Sequence, residues 1–345
     1  MSDEETQTKE ALTEEHTPEP EVEVNKIPVF QQLSLLAIIL LLIFGSGLTP
    51  SRLKNVFSQA QQPTAQILTT DEDATNSTQS EYTIPAFEDI TIVAKAAYVW
   101  DINNQRVLYK KNETQQLPLA SVTKLMTALV AQELLDENDT ISINETAVKQ
   151  DGYSGLSEGE VFNRLTLSDL VLMSSSNDGA FALASAAGAE LSSNNPASAF
   201  VSAMNIRAEE IGLIETYFRN PTGLDISPTE GGAYGSARDM AFLMEYIVTH
   251  YPDILTYTRE NEAKLYSQAG EQHNAENTNY YIDSIPGLIG SKTGYTDLAG
   301  GNLVVASDAG FNRPIIIAVL GSSQQNRFTD VLALVKEAQY YVANE

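Results

Sequence analysis

The spacing of apolar residues predicts helices through the middle and at the end of the chain. From Val122 to Leu134, apolar side chains recur every three or four positions, which is typical of an amphipathic helix, and Pro118 lies just before it. The apolar segment 169–173 is predicted to be a helix that runs into a group of serines. A last helix is expected over residues 329–342.

Apolar runs rich in β-branched residues predict strands near residue 100 and beyond residue 300. Residues 98–109 are predicted to form a hairpin around an Asn-Asn turn. Segments 302–306 and 314–320 are predicted strands joined through 308–310, and another strand precedes them. We therefore predict an α/β (α+β) fold, in which helices flank an antiparallel sheet and a mostly helical insertion covers about residues 140–279.

A long uncharged segment lies near the N-terminus. Between Lys26 and Arg52 the chain carries no charge, and residues 35–44 are almost entirely aliphatic. Because about 20 apolar residues span a bilayer as a helix, residues 27–48 are predicted to form one transmembrane helix. A cleaved signal peptide is the alternative. It is disfavoured by the long acidic stretch before the run and by the lack of a small-residue cleavage site just after it.

Charge and composition divide the rest of the chain. With 46 acidic and 20 basic residues, the net charge of −26 should repel phosphate backbones, so no nucleic acid partner is expected. Residues 1–26 are predicted to be a disordered acidic tail. Residues 49–90, rich in Gln, Thr, Ser and Asp, are predicted to be a flexible linker. Residues 91–345 have the length of one sizeable domain.

Neither a metal nor a cofactor is expected. The chain has no cysteine, which excludes disulfides and cysteine-ligated metals. No set of His, Asp and Glu residues has the spacing of metal ligands along the sequence. The three histidines, His16, His250 and His273, lie outside any recognisable motif, so surface or structural roles are expected for them.

Three short motifs carry the candidate chemistry. A Ser and a Lys three positions apart occur about once by chance in a chain of this length, so each motif alone is weak evidence. Together they supply a nucleophile, a base, a proton relay and an anion clamp, which indicates acyl transfer through a serine ester. The motifs are Ser121-Val122-Thr123-Lys124, Ser175-Ser176-Asn177 and Lys292-Thr293-Gly294.

With these motifs the chain resembles the low-molecular-mass penicillin-binding serine D-alanyl-D-alanine carboxypeptidases. The resemblance runs from about residue 96 to the C-terminus and leaves the first ninety or so residues unmatched. It implies the fold of β-lactamases and penicillin-binding proteins, a peptidoglycan stem-peptide substrate, and β-lactam inhibitors. The segments that carry it are Leu119–Thr127, Ser175–Asp178, Asn220–Leu224, Ser236–Asp239, Asn277–Asn279 and Gly290–Thr296.

The nucleophile needs a base that is not histidine. A serine hydroxyl is a poor nucleophile until a base takes its proton, and none of the histidines lies in a suitable motif. We therefore predict that Lys124 is the general base for Ser121. Since the pKa of a free lysine is about 10.4, Lys124 can act only if burial and a second cation lower its pKa, and Lys292 is the predicted cation.

The resemblance implies roles for the groups around this pair. Ser175 relays a proton to the departing D-alanine nitrogen, and Asn177 hydrogen-bonds to Lys124 and to the substrate amide. The backbone N–H groups of Ser121 and Tyr295 hold the developing oxyanion.

The resemblance also implies a carboxylate-binding end of the site. Lys292 and the Thr293 hydroxyl are expected to receive the terminal carboxylate of the substrate. Gly294 is expected to keep the strand clear so that the peptide can lie against it. Arg327 matches a carboxylate-binding arginine by position only, and a solvated arginine is the alternative. A turn at 220–223 is expected to shape the cleft.

The predicted activity is removal of the terminal D-alanine from peptidoglycan stem pentapeptides through a Ser121 acyl-enzyme. Three alternatives stay open. A D,D-endopeptidase that cuts cross-links has the same motifs. A class A-like β-lactamase is disfavoured because no Glu-x-x-Leu-Asn string lies between Ser175 and Lys292. The third alternative is a penicillin-binding sensor or scaffold with little turnover.

Localisation follows from the predicted substrate. Lys9 and Lys26 on one side of the predicted span balance Arg52 and Lys54 on the other, so flanking charge sets no orientation. Because the substrate lies outside the cell, we predict a single-pass protein of the cell membrane with a cytoplasmic N-terminus and an extracytoplasmic catalytic domain.

Overall fold

The computed structural model describes Phe87, residues 90–152 and residues 155–345. Its helices are α1 (Lys124–Leu134), α2 (Arg164–Met173), α3 (Asn177–Leu191), α4 (Pro196–Ile211), α5 (Ala237–His250) and α6 (Asn326–Asn344). Short 3-10 helices lie at Ala120–Thr123, Pro252–Arg259 and Ile282–Ser284. The strands are β1 (Ala96–Asp101), β2 (Arg106–Lys111), β3 (Leu117–Pro118), β4 (Thr140–Ser142), β5 (Val161–Asn163), β6 (Tyr217–Phe218), β7 (Ala233–Gly235), β8 (Glu262–Tyr266), β9 (Gln272–Glu276), β10 (Leu288–Thr296), β11 (Gly300–Asp308) and β12 (Pro314–Ser322).

The largest sheet joins the two ends of the domain. Its five strands are antiparallel and lie in the order β10-β11-β12-β1-β2. The first hairpin pairs with the last strand, with Ala96 opposite Leu320 and Asp101 opposite Ile315. The predicted antiparallel sheet is confirmed, with strands from near residue 100 and from beyond residue 300. The smaller sheets are β3-β7-β6, β4-β5 and β8-β9.

Both faces of this sheet are buried. Because side chains alternate between the faces of a strand, successive residues of β12 enter different cores. Ile316, Ala318 and Leu320 pack with α1 to α5, whereas Ile315, Ile317 and Val319 pack with α6. This two-sided burial explains why β11 and β12 read as nearly continuous apolar runs.

The predicted helices form with shifted boundaries. The helix expected after Pro118 is split into the 3-10 turn Ala120–Thr123 and α1. The segment 169–173 is the last part of α2. The C-terminal helix is longer than predicted at both ends. The insertion at 140–279 contains α2 to α5 and also six short strands, β4 to β9.

None of the helices in the described part of the chain combines the length and the apolar content that crossing a bilayer requires. The predicted acidic tail, transmembrane helix and linker at residues 1–26, 27–48 and 49–90 lie outside the described residues, apart from Phe87 and residue 90 at the end of the linker.

The Asp330 carboxylate connects α6 to the end of β12 and to the segment just before β1. Asp330 is 4% exposed, and its Oδ1 accepts a hydrogen bond of 3.0 Å from the Val93 amide. Its Oδ2 accepts hydrogen bonds from the Ala94 amide at 2.9 Å and from Ser322 Oγ at 2.6 Å. The two amides precede β1, so Asp330 satisfies backbone donors that the sheet leaves unpaired.

We predict that Asp330→Ala lowers the free energy of unfolding by about 2–4 kcal/mol, because it leaves buried amide donors without an acceptor. Urea unfolding followed by circular dichroism measures the change. Lys336→Ala, on an exposed position of the same helix, is the control and should change the value by less than about 0.5 kcal/mol. Equal effects of the two substitutions would contradict the role of Asp330.

Candidate active site

Ser121 lies in a tight 3-10 turn at the start of α1. Ala120, just before it, has a positive φ of 49°, which is a costly conformation for a residue with a side chain. Gly223 packs directly against this turn, and a Cβ at Gly223 would lie 1.9 Å from the Ala120 carbonyl oxygen. The predicted turn at 220–223 therefore lies directly against the backbone that carries Ser121, and only glycine fits at its fourth position.

A buried asparagine on β11 fixes the same turn from the other side. Asn302 Nδ2 donates hydrogen bonds to the carbonyls of Pro118 at 2.9 Å and Leu119 at 3.0 Å. Its Oδ1 accepts a hydrogen bond from the Gly321 amide at 2.8 Å. In the sequence, Asn302 stands out only as the first residue of the predicted strand 302–306. The one indication of its role is that Asn302 is a polar residue at the start of an otherwise apolar strand.

The Lys124 amine lies among three oxygen atoms. Its Nζ is 2.9 Å from Ser121 Oγ, 2.7 Å from Asn177 Oδ1 and 2.8 Å from the Thr222 carbonyl oxygen. The amide and carbonyl oxygens can only accept hydrogen bonds. A neutral amine would donate its two hydrogens to them, which leaves its lone pair directed at the Ser121 hydroxyl.

The Lys124 amine has the electrostatic environment of a base. Its side chain is completely buried, and this burial lowers the pKa of Lys124 well below its ordinary value, with a further lowering by the nearby Lys292 cation. Burial and then the charge of Arg327 lower the pKa of Lys292 to about 7. The close pair of lysines that the sequence predicted is therefore present.

The second motif lies between two helices. Ser175 occupies the short connection between α2 and α3 with a positive φ of 62°. Ser176 caps α3 by accepting a hydrogen bond of 2.9 Å from the Gly179 amide. Ser175 Oγ then lies 2.9 Å from Lys292 Nζ, and Asn177 Nδ2 donates to the Asp151 carbonyl at 2.6 Å. The latter contact orients the Asn177 amide so that its oxygen faces Lys124.

The third motif lies on the edge strand β10. Lys292 and Thr293 are buried, and Thr293 Oγ1 is 2.6 Å from Thr278 Oγ1. Tyr295, two residues further along, is 42% exposed. The strand thus presents its polar groups at one end of the cleft.

The structure gives a different reason for glycine at position 294 than the one predicted. A Cβ there would lie 2.8 Å from the Leu119 carbonyl oxygen and 3.2 Å from the Ser121 amide nitrogen. The missing side chain therefore lets β10 approach the turn that carries the nucleophile. The expected open space for a peptide is not on this side of Gly294.

Arg327 is brought to the same end of the site, as its position in the sequence suggested. It is 5% exposed, and its Nη1 donates a hydrogen bond of 2.8 Å to the Gly294 carbonyl. Burial lowers the pKa of Arg327. The alternative of a solvated arginine is wrong.

Three buried basic side chains therefore share one site. In the described part of the chain, no carboxylate lies within 4.0 Å of the charged nitrogens of Lys124, Lys292 or Arg327. Buried charges are normally paired, so this arrangement is suited to an anionic ligand.

The site opens into a cleft of about 500 Å³. Ser175 and Asn177 form part of one wall, and the chain that leaves β9 forms another. The residues that line it are Gly152, Gly155, Ser174, Ser175, Ser176, Asn177, Asn274, Glu276, Asn277, Thr278 and Tyr280.

The two described histidines contact other parts of the molecule. The His250 ring stacks on Tyr246 at 4.2 Å, and His273 Nε2 lies 2.5 Å from Glu160 Oε1. Glu160, His273 and Glu271 place candidate metal-ligating atoms within 4.8 Å of one another. Glu160 is distant in sequence from Glu271 and His273, so ligand spacing along the chain did not indicate this group. His16 lies outside the described residues.

Comparison with known proteins identifies the family. The family model of Peptidase S11, described as D-alanyl-D-alanine carboxypeptidase, matches residues 80–324. The chain belongs to this family. The resemblance inferred from the three motifs is confirmed.

The proteins that are similar to this chain in sequence are named for two different activities. A D-alanyl-D-alanine carboxypeptidase of Bacillus subtilis is 34% identical over 248 residues, which is 70% of this chain and 61% of that protein. A D-alanyl-D-alanine endopeptidase of Pseudomonas aeruginosa is 32% identical over 252 residues, which is 70% of this chain and 76% of that protein. The match therefore covers less than two thirds of the Bacillus relative.

The fold is that of the penicillin-binding proteins and D,D-peptidases. Penicillin-binding protein D2 of Listeria monocytogenes, solved in its ampicillin-bound form, superposes with a TM-score of 0.60 at 26% identity. The superposition covers 72% of this chain and 98% of that one.

We predict that replacing Lys292 by an uncharged residue moves the low-pH side of the pH profile of the acylation rate to higher pH. Acylation needs neutral Lys124, so its rate falls as pH drops through the pKa of Lys124. In Lys292→Met the nearby cation is absent, so the pKa of Lys124 rises and the fall begins at higher pH. The measurement is the second-order rate of labelling by a fluorescent penicillin between about pH 5 and pH 9.

The midpoint of that profile is the quantity to compare, because loss of Lys292 also weakens binding and lowers the whole curve. Lys336→Ala, outside the site, should leave the midpoint unchanged. A midpoint that stays fixed or moves to lower pH in Lys292→Met would contradict the coupling between the two lysines.

Proposed function

We propose that this protein is a serine D-Ala-D-Ala carboxypeptidase, which removes the terminal D-alanine from peptidoglycan stem pentapeptides. The observation that carries the proposal is the buried Lys124 amine, 2.9 Å from Ser121 Oγ and held by two oxygens that can only accept hydrogen bonds. The Peptidase S11 match and the named carboxypeptidase relative support it.

Acylation begins with the Ser121–Lys124 pair. Neutral Lys124 takes the hydroxyl proton as Ser121 Oγ attacks the carbonyl carbon of the penultimate D-alanine. The carbonyl oxygen becomes an oxyanion, and the backbone N–H groups of Ser121 and Tyr295 stabilise it. The close approach of β10 to the Ser121 amide at Gly294 supports this pairing of donors.

Collapse of the tetrahedral intermediate needs a proton on the leaving nitrogen. Ser175 Oγ donates its proton as the C–N bond breaks, and it regains one from Lys292, whose Nζ is 2.9 Å away. The pKa of Lys292, lowered to about 7, suits it to exchange a proton near neutrality. D-alanine leaves with its amine, and Ser121 keeps the acyl group.

Deacylation repeats the chemistry with water as the nucleophile. Before water reacts, Lys124 releases the proton that it took from Ser121 and Lys292 takes one up from solvent, so both amines return to their starting states. Lys124 then takes a proton from water, the water oxygen attacks the ester carbon, and Lys124 returns that proton to the departing Ser121 oxygen. Asn177 holds the Lys124 amine in position during both halves of the reaction. The products are D-alanine and the shortened stem peptide.

The terminal carboxylate of the substrate binds at the cationic end of the cleft. Lys292, the Thr293 hydroxyl and Arg327 supply positive charge and donors there, and none of the charged side chains has an acidic partner among the described residues. A charge-assisted contact to a carboxylate is stronger than a neutral one. This preference places the last peptide bond of the substrate next to Ser121.

β-lactams are expected to acylate Ser121 by the same route. They carry a carboxylate beside a reactive amide, so the same cationic end would bind them. The related Listeria protein is known in an ampicillin-bound form.

A D,D-endopeptidase acting on cross-links is the second candidate, supported by the named Pseudomonas relative and the fuller match to it. A class A-like β-lactamase is disfavoured, since no carboxylate in the described part of the chain hydrogen-bonds to Ser121 or Lys124. A sensor with little turnover is disfavoured because the proposed base Lys124, the proposed proton relay Ser175 and the proposed carboxylate-binding Lys292 all belong to the same site as Ser121.

We predict that the full chain releases D-alanine from a stem pentapeptide, and that mass spectrometry detects the tetrapeptide. Ser121→Ala should abolish both this release and covalent labelling by fluorescent penicillin, and Lys124→Ala should reduce both by at least about a thousandfold. A cross-linked peptide dimer is tested in parallel. Faster cleavage of the dimer than of the pentapeptide would make the endopeptidase the main activity, and labelling of Ser121→Ala would refute the nucleophile.

The N-terminal region is proposed to anchor the enzyme in the cell membrane. Residues 27–48 form the transmembrane helix, residues 1–26 a cytoplasmic tail, and residues 49–90 a linker that lets the catalytic domain, residues 91–345, reach peptidoglycan. The support is the uncharged apolar run and the extracellular position of the substrate.

We predict that Thr69→Cys reacts with a membrane-impermeant maleimide on intact cells, whereas Thr8→Cys reacts only after lysis. The chain has no native cysteine, so the unsubstituted protein gives the background. The reverse labelling pattern would overturn the orientation. Recovery of the unsubstituted protein in the soluble fraction would overturn the anchor.

A further inference from the structure

The cleft extends past the position of the leaving residue. If the proposed function holds, the leaving D-alanine has its nitrogen at Ser175 and its carboxylate at Thr293. Thr278 lies beside that carboxylate position, because its Oγ1 is 2.6 Å from Thr293 Oγ1. From Thr278 the cleft continues along the end of β9, where Glu276 and Asn274 line it. A single D-alanine does not require this extension.

Glu276 gives the far end of the cleft a negative charge. Its side chain is exposed, and it makes no ion pair within the described residues. In the β8-β9 hairpin, Glu276 lies directly opposite Glu262, and such like-charge pairs are unfavourable. Lys264 lies opposite Asn274, a diagonal position with side chains roughly 7–8 Å apart. A positive group from the substrate would relieve the repulsion between the two glutamates.

The two ends of the leaving-group region therefore differ in charge. Lys292 and Arg327 make one end cationic, and Glu276 makes the other end anionic. A leaving group that carries both a carboxylate and an ammonium group matches this polarity. The Asn274 side chain, which lines the same wall and accepts a hydrogen bond of 2.8 Å from Gln272, is already engaged along the strand. Glu276 is thus the charged group available to the ligand.

We propose that Glu276 is a specificity-determining residue for the leaving group, and that it favours leaving amino acids or peptides whose side chain carries a primary ammonium group. This inference rests on the proposed D,D-peptidase function and adds a preference that D-Ala-D-Ala cleavage alone does not require. Exposure of Glu276 to solvent limits the size of the effect, because exposed ion pairs are weak.

The test uses the full chain and three acylated dipeptides that end in D-Ala-D-Ala, D-Ala-D-Lys and D-Ala-(Nε-acetyl)-D-Lys. The last two keep the terminal carboxylate, and the acetyl group of the third removes the ammonium charge; the variants below separate the effect of that charge from the effect of the added group. We expect kcat/KM for the D-Lys substrate to exceed that for the acetylated one by about two- to fivefold. The ratio should fall toward one at about 1 M salt, where exposed charges are screened.

The variants compare two glutamates of the same hairpin. Glu276→Gln should reduce the ratio of the two kcat/KM values to about one, whereas Glu262→Gln, with the same loss of charge, should retain most of it. The ratio is insensitive to a general loss of active enzyme, so a merely structural effect would not change it. Equal loss of preference in the two variants would overturn the assignment to Glu276.

The D-Ala-D-Ala substrate separates failure of this inference from failure of the proposed function. If the unsubstituted enzyme releases D-alanine but treats both lysine substrates equally, the role of Glu276 is wrong and the peptidase assignment stands. If no D-alanine is released from any substrate, the proposed function itself fails.

Discussion

Two lysine side chains, Lys124 and Lys292, are buried together without an acidic partner among the described residues. Burial of an ammonium group is costly, so the protein holds these amines closer to their neutral form than water does. That constraint makes a lysine available as a base at the Ser121 hydroxyl. The tight turn at Ser121, the glycine contacts around it and the orientation of Asn177 all serve to keep that buried amine in place.

The site is assembled from distant parts of the chain by close backbone approaches. Because Gly223 has no side chain, the 220–223 turn lies directly against Ala120. Gly294 likewise lets β10 lie against the 3-10 turn that contains Ala120 and Ser121. Asn302 fixes the carbonyls of residues 118 and 119 from β11. Ser121 therefore lies between an edge strand and a helical region, where groups from both sides reach it. The large sheet holds its side of the site in a fixed position because both of its faces are buried.

Local sequence predicts the site best where the type of a residue limits the chemistry that it can perform. A serine and a lysine at helical spacing, and no histidine in a suitable motif, predict that Lys124 lies beside Ser121 with Lys292 nearby, and the structure has this arrangement. The role of Lys124 as the base stays a prediction. Local sequence predicts less about residues whose role is to pack against, or hydrogen-bond to, distant parts of the chain. Gly294 was expected to leave space for a peptide, whereas the collision that its missing side chain avoids is with the distant Leu119 carbonyl. Asn302 was missed because the two carbonyls to which it donates, those of Pro118 and Leu119, lie more than 180 residues away.

The sequence by itself determined the elements of the sheet, the helices that carry the motifs, and the chemical types of the candidate catalytic groups. These depend on local periodicity and on functional groups, which are properties of short segments. Only the tertiary structure decided that Arg327 faces the site, that Glu160, Glu271 and His273 meet, and that Glu276 lines the cleft. Those relations depend on strand register and on the three-dimensional path of loops, and the spacing of residues along a chain does not encode them.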